Sequence, residues 1–203
     1  MGVYPRGVPN PAHCVPSISS ETVRPPSGEP VPGRVPIRRK LTPFMNDASS
    51  IIAEAAAIAA LVRVGEHFEH TAHYTRDDIS RFATLTLDLN PVHHDREAAL
   101  RAGLSDVIAS GQHTSALMSG LAASHFSRDD DGVTRSMLCL HFNFAYREPI
   151  FAESDVTMRW VVSSTEWNAS LDGVIAQLEG KATVANAQAV VARGTVLVRR
   201  ASS

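Results

Sequence analysis

The sequence predicts an α+β fold in which an antiparallel sheet packs against one buried helix. The first observation is that residues 112–126 are apolar or small nearly all round, which is typical of a helix enclosed by other elements. The second is that four strand-like segments follow this helix with only short turns between them. Strands that succeed one another as hairpins pair in antiparallel fashion, so helix and sheet form two packed layers.

Length and composition fit one globular domain with an appendage. The chain has 203 residues, is 44% hydrophobic and 20% charged, and carries a net charge of -2. That charge gives no reason to expect nucleic acid or an anionic membrane as a partner. The two cysteines, Cys14 and Cys139, are too far apart to suggest a disulfide framework or a metal site. We therefore expect a cytoplasmic protein that binds no metal.

The N-terminal quarter differs from everything after it. Prolines are concentrated there, and large apolar residues are too few to offset the entropy of ordering the segment. We predict that residues 1–47 are disordered and that the folded domain comprises residues 48–203. The longest apolar run, residues 51–64, is too short and too often interrupted by charge to cross a bilayer.

Two helices and a strand are predicted next. Residues 48–62 favour a helix because alanine, the best helix former, dominates them. Residues 67–75 alternate between apolar and polar side chains, which indicates a strand. Thr75 is placed to cap a second helix, and the turn-forming Asn-Pro pair predicts that this helix stops near Leu89.

The remaining elements follow from turn signals. Asp95 is placed to cap a short helix that Gly103 closes. The four strands are predicted at residues 135–146, 156–164, 170–184 and 189–199. Residues 165–168 are predicted as a hairpin loop, and the third strand contains two glycines, Gly173 and Gly180, at either of which it could break.

The most informative stretch is residues 88–95. It places Asp88 and His93 on either side of an Asn90-Pro91 turn, close enough for the carboxylate and the imidazole to share a water molecule. Such a pair is what general acid–base chemistry requires. The alternative is a polar turn in which Asn90 bonds its own backbone and the histidines are solvated.

A second feature is the start of the apolar helix. Gly111 follows Ser110, and the free N–H groups and positive dipole end of a helix N-terminus favour an oxyanion. The alternative is that Gly111 only permits a tight turn into the helix. A reaction that passes through an oxyanion needs a base, an acid and an oxyanion donor, and the chain offers all three in order.

Residues 82–95, from Phe82 to Asp95, resemble the signature of the MaoC-like, (R)-specific enoyl-CoA hydratases (hydratase 2). That signature has a glycine or another small or polar residue where this chain has Leu87, and a histidine where it has Ser110. The resemblance extends from about residue 64 to residue 199. It implies the hot-dog fold, in which the sheet wraps around the central helix.

The resemblance also implies roles for individual residues. Asp88 and His93 would be the acid–base pair, and the backbone N–H of Gly111 would polarise the thioester carbonyl. Ser119 would help to line the acid–base pair and Asn90 would position the loop or the water. Ser110, next to Gly111, would be a further supporting or substrate-binding residue. No metal or redox cofactor is implied, since coenzyme A is part of the substrate, and family members with one such unit usually form homodimers.

The function predicted on this basis is (R)-specific hydration of a trans-2-enoyl-CoA to the (R)-3-hydroxyacyl-CoA, or the reverse dehydration. One alternative is a hydratase for branched or dicarboxylic acyl-CoA. An alternative of another class is a non-catalytic hot-dog subunit that binds acyl-CoA. The departures at Leu87 and Ser110 favour this last alternative, and the intact Asp88 and His93 oppose it.

Overall fold

The computed structural model describes residues 48–128 and 132–201. These residues form four α-helices, one 3-10 turn and five strands: α1 (Ala48–Leu61), β1 (His67–Tyr74), α2 (Arg76–Leu85), the 3-10 turn Pro91–His93, α3 (Arg96–Arg101), α4 (Gly111–Phe126), β2 (Arg135–Tyr146), β3 (Ser154–Asn168), β4 (Gly173–Val184) and β5 (Ala187–Arg200). The predicted disorder of residues 1–47 lies outside the described residues, as do the last two residues of the predicted domain.

The five strands form one antiparallel sheet in the order β1-β3-β4-β5-β2, so β1 and β2 are its two edges. Helix α4 lies against one face of this sheet. The indole Nε1 of Trp160 in β3 donates a hydrogen bond to the carbonyl oxygen of Met118 in α4 at 2.9 Å. The predicted α+β hot-dog fold is confirmed.

Alternation of side chains explains how the strands bury the core. Along β3, every second residue from Val156 to Val162 points toward α4 and is at most 1% exposed. A Cβ at position 180 of β4 would lie 2.5 Å from the Trp160 ring, so glycine makes room for the indole there. Gly180 therefore does not break the strand, and Gly173 begins it.

The predicted hairpin loop after the second of the four predicted strands is wrong. Residues 165–168 were expected to form a hairpin loop, but Trp167 pairs with Val174 and Asn168 pairs with Gly173 inside the sheet. The chain reverses direction between Asn168 and Gly173, where Asp172 adopts a left-handed backbone with φ 47°. Pairing with β4 continues the ladder past the polar residues that suggested a loop.

Helix α4 is buried on one side only within the single chain. Met118, Ala122 and Phe126 are 0% exposed against the sheet. The opposite face is open and carries mostly small residues: Gln112, Ala116, Gly120 and Ser124 are exposed. The sequence predicted a helix enclosed all round, but one five-stranded sheet covers only half of its surface.

Residues 75–110, which we call the connecting segment, join β1 to α4 and contain α2, the 3-10 turn and α3. Ile79 and Val107 anchor the segment in the core, and polar contacts hold its loops. Arg76 bonds Asp106 within the segment and reaches Glu153 outside it at 3.1 Å. Thr75 and Asp95 cap α2 and α3 with their side chains, as predicted.

Candidate active site

Helix α2 ends earlier than predicted, and its ending sets the position of Asp88. The last helical residue is Leu85, not a residue near Leu89. The N–H of Asp88 bonds the carbonyl of Ala83 at 2.8 Å and the N–H of Leu87 bonds the carbonyl of Thr84 at 3.1 Å. These two bonds form a Schellman motif, whose left-handed residue is Leu87 with φ 60°. The helix therefore stops because the backbone reverses at residue 87, before the proline is reached.

The Asn-Pro turn then brings the chain back. Asn90 caps the 3-10 turn, since its side-chain oxygen accepts from the N–H of Val92 at 3.4 Å. The N–H of Asn90 in turn donates to Asp88 Oδ1 at 3.2 Å. The side chain of Asn90 thus bonds within the turn, as the polar-turn alternative expects. The backbone N–H of Asn90 orients the Asp88 carboxylate.

His93 faces Asp88 across this turn. Its Nε2 lies 3.4 Å from Asp88 Oδ2, and its side chain is 9% exposed against 30% for Asp88. The other ring nitrogen, Nδ1, lies 2.7 Å from the carbonyl oxygen of Ile108. A carbonyl only accepts, so Nδ1 carries a hydrogen. In the neutral form of the ring, Nε2 then directs its lone pair at Asp88.

Two acceptors therefore face one another at a distance slightly too long for a direct hydrogen bond. A proton on Nε2 or a water that donates one hydrogen to each group would satisfy both. A water held in this way keeps its oxygen lone pairs free for attack on an electrophile. The pair can therefore hold and deprotonate a water molecule, and the polar-turn alternative does not account for this geometry.

The N-terminus of α4 lies at the same cavity as His93. This cavity has a volume of about 440 Å³, and its lining includes His93, Ser110, Gly111 and Tyr146. Ser110 is the N-cap but makes no side-chain capping bond. The Gly111 amide makes no hydrogen bond to the part of the chain that the structure describes. An N–H at a helix N-terminus that opens on a cavity is suited to an oxyanion.

Packing explains why residue 111 is glycine. Its backbone is not left-handed, so a tight turn does not require it. A Cβ at this position would lie 2.7 Å from two carbons of the Tyr146 ring, and the Tyr146 hydroxyl lies 2.6 Å from Ser115 Oγ. The glycine therefore admits an aromatic ring against the first turn of α4.

The structure brings most of the predicted residues together but not all of them. Asp88 and His93 are adjacent, and Ser110 and Gly111 share the cavity of His93. Ser119 does not line that cavity; its hydroxyl donates to the carbonyl of Ser115 at 2.7 Å, two turns along α4.

Arg147 and Glu148 also line the cavity. Tyr146, immediately before them, was missed. Its only signal in the sequence is an aromatic residue at the end of a predicted strand, next to a proline-containing turn.

Ser110 has an orphaned hydroxyl. The residue is 4% exposed, and its Oγ has no hydrogen-bond partner within residues 48–128 and 132–201. An unsatisfied hydroxyl costs about 1–3 kcal/mol when it is buried. The predicted supporting role for Ser110 therefore remains a prediction, with a free polar group at the edge of the candidate site as its basis.

His113 lines a different cavity. Its ring is stacked between Tyr74 and Phe82 at centroid distances of 4.6 and 4.5 Å, and the residue is 8% exposed. Burial lowers the pKa of His113, so the ring is held neutral near pH 7. The cavity beside it has a volume of about 560 Å³, lies between α2 and α4 and does not include His93. His113 therefore packs in the core and is not part of the Asp88–His93 site.

Among the described residues, no cluster of three histidine, cysteine, aspartate or glutamate side chains is arranged to hold a metal ion. None of the described helices is long and apolar enough to cross a membrane.

Comparison with known proteins adds a family and relatives. A family model described as MaoC like domain matches residues 60–189. The 3-hydroxyacyl-(acyl-carrier-protein) dehydratase FERN, mitochondrial, of Solanum lycopersicum is 29% identical over 79 residues, which cover 39% of this chain and 48% of that protein. The mitochondrial 3-hydroxyacyl-(acyl-carrier-protein) dehydratase of Arabidopsis thaliana is 26% identical over 102 residues, covering 50% and 57%. The chain thus matches about half the length of these curated relatives.

Solved structures share the fold. The (R)-hydratase of A. caviae involved in PHA biosynthesis superposes with a TM-score of 0.58 at 23% identity, covering 66% of this chain and 96% of that one. A MaoC-like dehydratase from Rhodospirillum rubrum gives a TM-score of 0.59 at 19% identity, with coverages of 70% and 96%. At these identities the likeness shows the fold alone.

Proposed function

The chain belongs to the MaoC-like domain family, and from this premise we propose that it is a hydro-lyase that adds water reversibly to a 2-enoyl thioester. The observation that carries the proposal is that His93 Nε2 and Asp88 Oδ2 face one another at 3.4 Å, while His93 lines the same cavity as the N-terminus of α4. Asp88 contacts the buried imidazole of His93, and His93 in turn lines the same cavity as the N-terminus of α4.

In the proposed hydration, a water bridges Asp88 and His93 and its oxygen attacks C3 of the enoyl thioester. The C3–O bond forms as the C2–C3 double bond shifts its electrons toward the thioester carbonyl. One member of the pair takes the proton of the water, and a proton returns from the pair to C2. The product is a 3-hydroxyacyl thioester, and dehydration runs through the same steps in reverse. Either member of the pair can act as the base in this scheme.

The N–H of Gly111 is proposed to stabilise the enolate oxygen. The first-turn amide adds the positive end of the α4 dipole to a hydrogen bond that strengthens as charge develops. Removal of one such donor from an enzyme costs about 10²–10³ in kcat. Because Tyr146 covers the adjacent face of Gly111, the thioester would approach from the side of His93.

The finer assignment is an (R)-specific reaction on a CoA thioester that draws on no metal or redox cofactor. The curated relatives are named as dehydratases of carrier-protein substrates. A CoA and a carrier-protein substrate present the same pantetheine arm, and the exposed Arg147 at the mouth of the cavity suits a phosphate on either. Branched or dicarboxylic acyl groups stay as an alternative, and the cytoplasmic location stays a prediction.

We also propose that two copies of the chain form a homodimer. Strand β2 is an edge of the sheet, and its Leu138 and Leu140 are 52% and 48% exposed. An exposed apolar edge strand is a site for pairing with a second chain. The open face of α4 lies beside this edge, and both would be covered if two β2 strands paired. Sedimentation equilibrium should therefore give twice the mass of one chain.

The function is tested by loss of absorbance at the enoyl-thioester band with crotonyl-CoA, and separately with a crotonyl carrier protein. We expect Asp88→Asn and His93→Ala each to lower kcat by at least about 10²-fold, as expected of a general acid or base. Asp77→Asn and His70→Ala are matched controls, since both residues are exposed and remote from the cavity. Circular dichroism checks that each variant is folded.

Two outcomes would contradict the proposal. If the wild-type protein binds the thioester without hydrating it, the non-catalytic alternative is favoured. If Asp88→Asn and His93→Ala are as active as the two controls, the site assignment is wrong.

A further inference from the structure

The backbone of Asp88 is held by a second histidine. Nε2 of His94 lies 2.8 Å from the carbonyl oxygen of Asp88, and Nδ1 of the same ring lies 2.9 Å from Ser80 Oγ. Ser80 belongs to α2, whereas His94 follows the 3-10 turn, so the ring joins the two ends of the turn that carries Asp88. We propose that His94 is a positioning residue that sets the placement of Asp88 relative to His93.

The direction of each hydrogen bond follows from the partners. The Asp88 carbonyl only accepts, so Nε2 of His94 carries the hydrogen. In the neutral ring Nδ1 then accepts from the Ser80 hydroxyl, and both nitrogens are used. Ser80 orients the ring, and the ring orients Asp88.

The two consecutive histidines of the turn therefore have different tasks. His93 donates from Nδ1 to the carbonyl of Ile108 and directs Nε2 at the Asp88 carboxylate. His94 donates from Nε2 to the Asp88 carbonyl and leaves the carboxylate free. The 3.4 Å gap between the reacting groups is set on one side by the Ile108 bond and on the other by the His94 bond.

Apolar packing does not hold this part of the chain. Leu85, Leu87 and Leu89 are 80%, 83% and 76% exposed. With no large side chain of residues 85–89 anchored in the core, polar bonds fix the position of Asp88: its N–H to Ala83, its Oδ1 to Asn90 N, and its carbonyl to His94. Of these three, only the bond to His94 comes from a side chain that a substitution can remove.

The effect on rate should be large because the catalytic geometry is narrow. A displacement of a catalytic group by about 1 Å can cost about 10²-fold in rate. We expect His94→Leu, which removes both bonds at similar volume, to lower kcat by about 10- to 100-fold with little change in KM. His94→Gln keeps an N–H donor for the Asp88 carbonyl and should restore kcat to within about 3-fold of wild type.

The experiment measures kcat, KM and the pH profile of kcat/KM for wild type, His94→Leu, His94→Gln, Ser80→Ala and Asp88→Asn, with crotonyl-CoA and with crotonyl carrier protein. It rests on the proposed hydratase function. His94→Leu should also shift the limbs of the pH profile, because the coupling between Asp88 and His93 depends on their separation. Ser80→Ala should give a smaller loss than His94→Leu, since the Asp88 bond remains. Thermal unfolding gives the temperature range in which every variant is fully folded.

The outcomes separate the positioning role from the proposed function. If Asp88→Asn is inactive while His94→Leu keeps the wild-type kcat and pH profile, the positioning role is wrong and the hydratase stands. If His94→Gln is as slow as His94→Leu, the bond to the Asp88 carbonyl is not what matters, and the proposal is overturned. If Asp88→Asn retains full activity, both the proposed site and the positioning role are wrong.

Discussion

The connecting segment and the sheet hold their shapes by different means. In the sheet, large side chains such as Trp160, Met158 and Leu178 are at most 1% exposed and interlock with α4. In the connecting segment Ile79 and Val107 are buried, but three leucines around Asp88 are at least 76% exposed. Capping bonds, the Asp88 contacts and the Arg76 ion pairs fix the backbone there. The candidate catalytic residues lie in the connecting segment, and the large buried apolar side chains lie in the sheet. A substitution should therefore change activity in the first and stability in the second.

The largest effect on stability is expected in the sheet. Trp160 is 0% exposed, donates to Met118 and fills the space left by Gly180. Trp160→Ala should lower the free energy of unfolding by about 3–5 kcal/mol, because it leaves a cavity and removes the partner of a buried carbonyl. Urea unfolding followed by circular dichroism measures this loss.

Trp167→Ala is the matched control for this substitution. Trp167 lies on the same strand but is only partly buried, so its loss should be clearly smaller. If the two substitutions cost the same, burial against α4 is not what holds the sheet together. If Trp160→Ala lowers activity in the fully folded protein as much as Asp88→Asn, the separation between the two regions fails.

Sequence reasoning succeeded where structure depends on near neighbours. The caps at Thr75 and Asp95, the Gly103 stop and the starts of β1 and β2 are all local signals, and all are confirmed. It failed where distant residues decide. The length of β3 past residue 164 depends on pairing with β4, and glycine at 111 is explained by Tyr146, which lies 35 positions away.

The acid–base pair could be predicted because five residues of chain and one turn bring Asp88 and His93 together. The role of His94 could not, because its second bond reaches back 14 residues to Ser80. The open face of α4 could not be predicted either, since a sequence pattern does not show how much of a helix one sheet covers.

A pH-dependent effect of intermediate size distinguishes two histidines that flank the connecting segment, the exposed His73 in β1 and the buried His113 in α4. Burial lowers the pKa of His113, and Asp78 opposes this more weakly. The unfolded chain therefore binds a proton just below pH 6.5 that the folded protein does not, and stability falls as the pH drops from 6.5. One proton contributes a slope of at most about 1.4 kcal/mol per pH unit. His113→Phe preserves the ring stack with Tyr74 and Phe82, and it should flatten the acid side of the stability curve.

His73 should behave in the opposite way. Hydrogen bonds with Asp155 and then Glu153 raise its pKa, so its contribution is complete below pH 6.5 and is lost as the pH rises through the raised value. His73→Gln should therefore lower stability more at pH 5.5 than at pH 8. Melting temperatures of both variants between these two pH values provide the test. Difference curves with the same sign would show that one of the two environments has been assigned wrongly.

The smallest effect concerns the left-handed residue of the Schellman motif. Leu87 has φ 60° and is 83% exposed, so it bears the strain of this backbone without any gain from packing. A left-handed L-residue costs about 1–2 kcal/mol, and the greater freedom of glycine in the unfolded chain offsets about 0.4–1 kcal/mol of any relief. Leu87→Gly should therefore stabilise the protein by a net gain below about 1 kcal/mol.

Two neighbouring substitutions make this small effect measurable. Leu87→Ala keeps a Cβ and should give no gain. Leu85→Gly alters a leucine that is equally exposed but helical, and it should destabilise the protein by about 0.5–1 kcal/mol. Opposite signs for the glycine substitutions at 85 and 87 would show that backbone conformation, rather than the loss of an exposed leucine, controls this turn. If both glycine substitutions change the stability in the same direction, the two leucines contribute through contacts with another molecule. Apolar packing in the assembly would then stabilise the connecting segment.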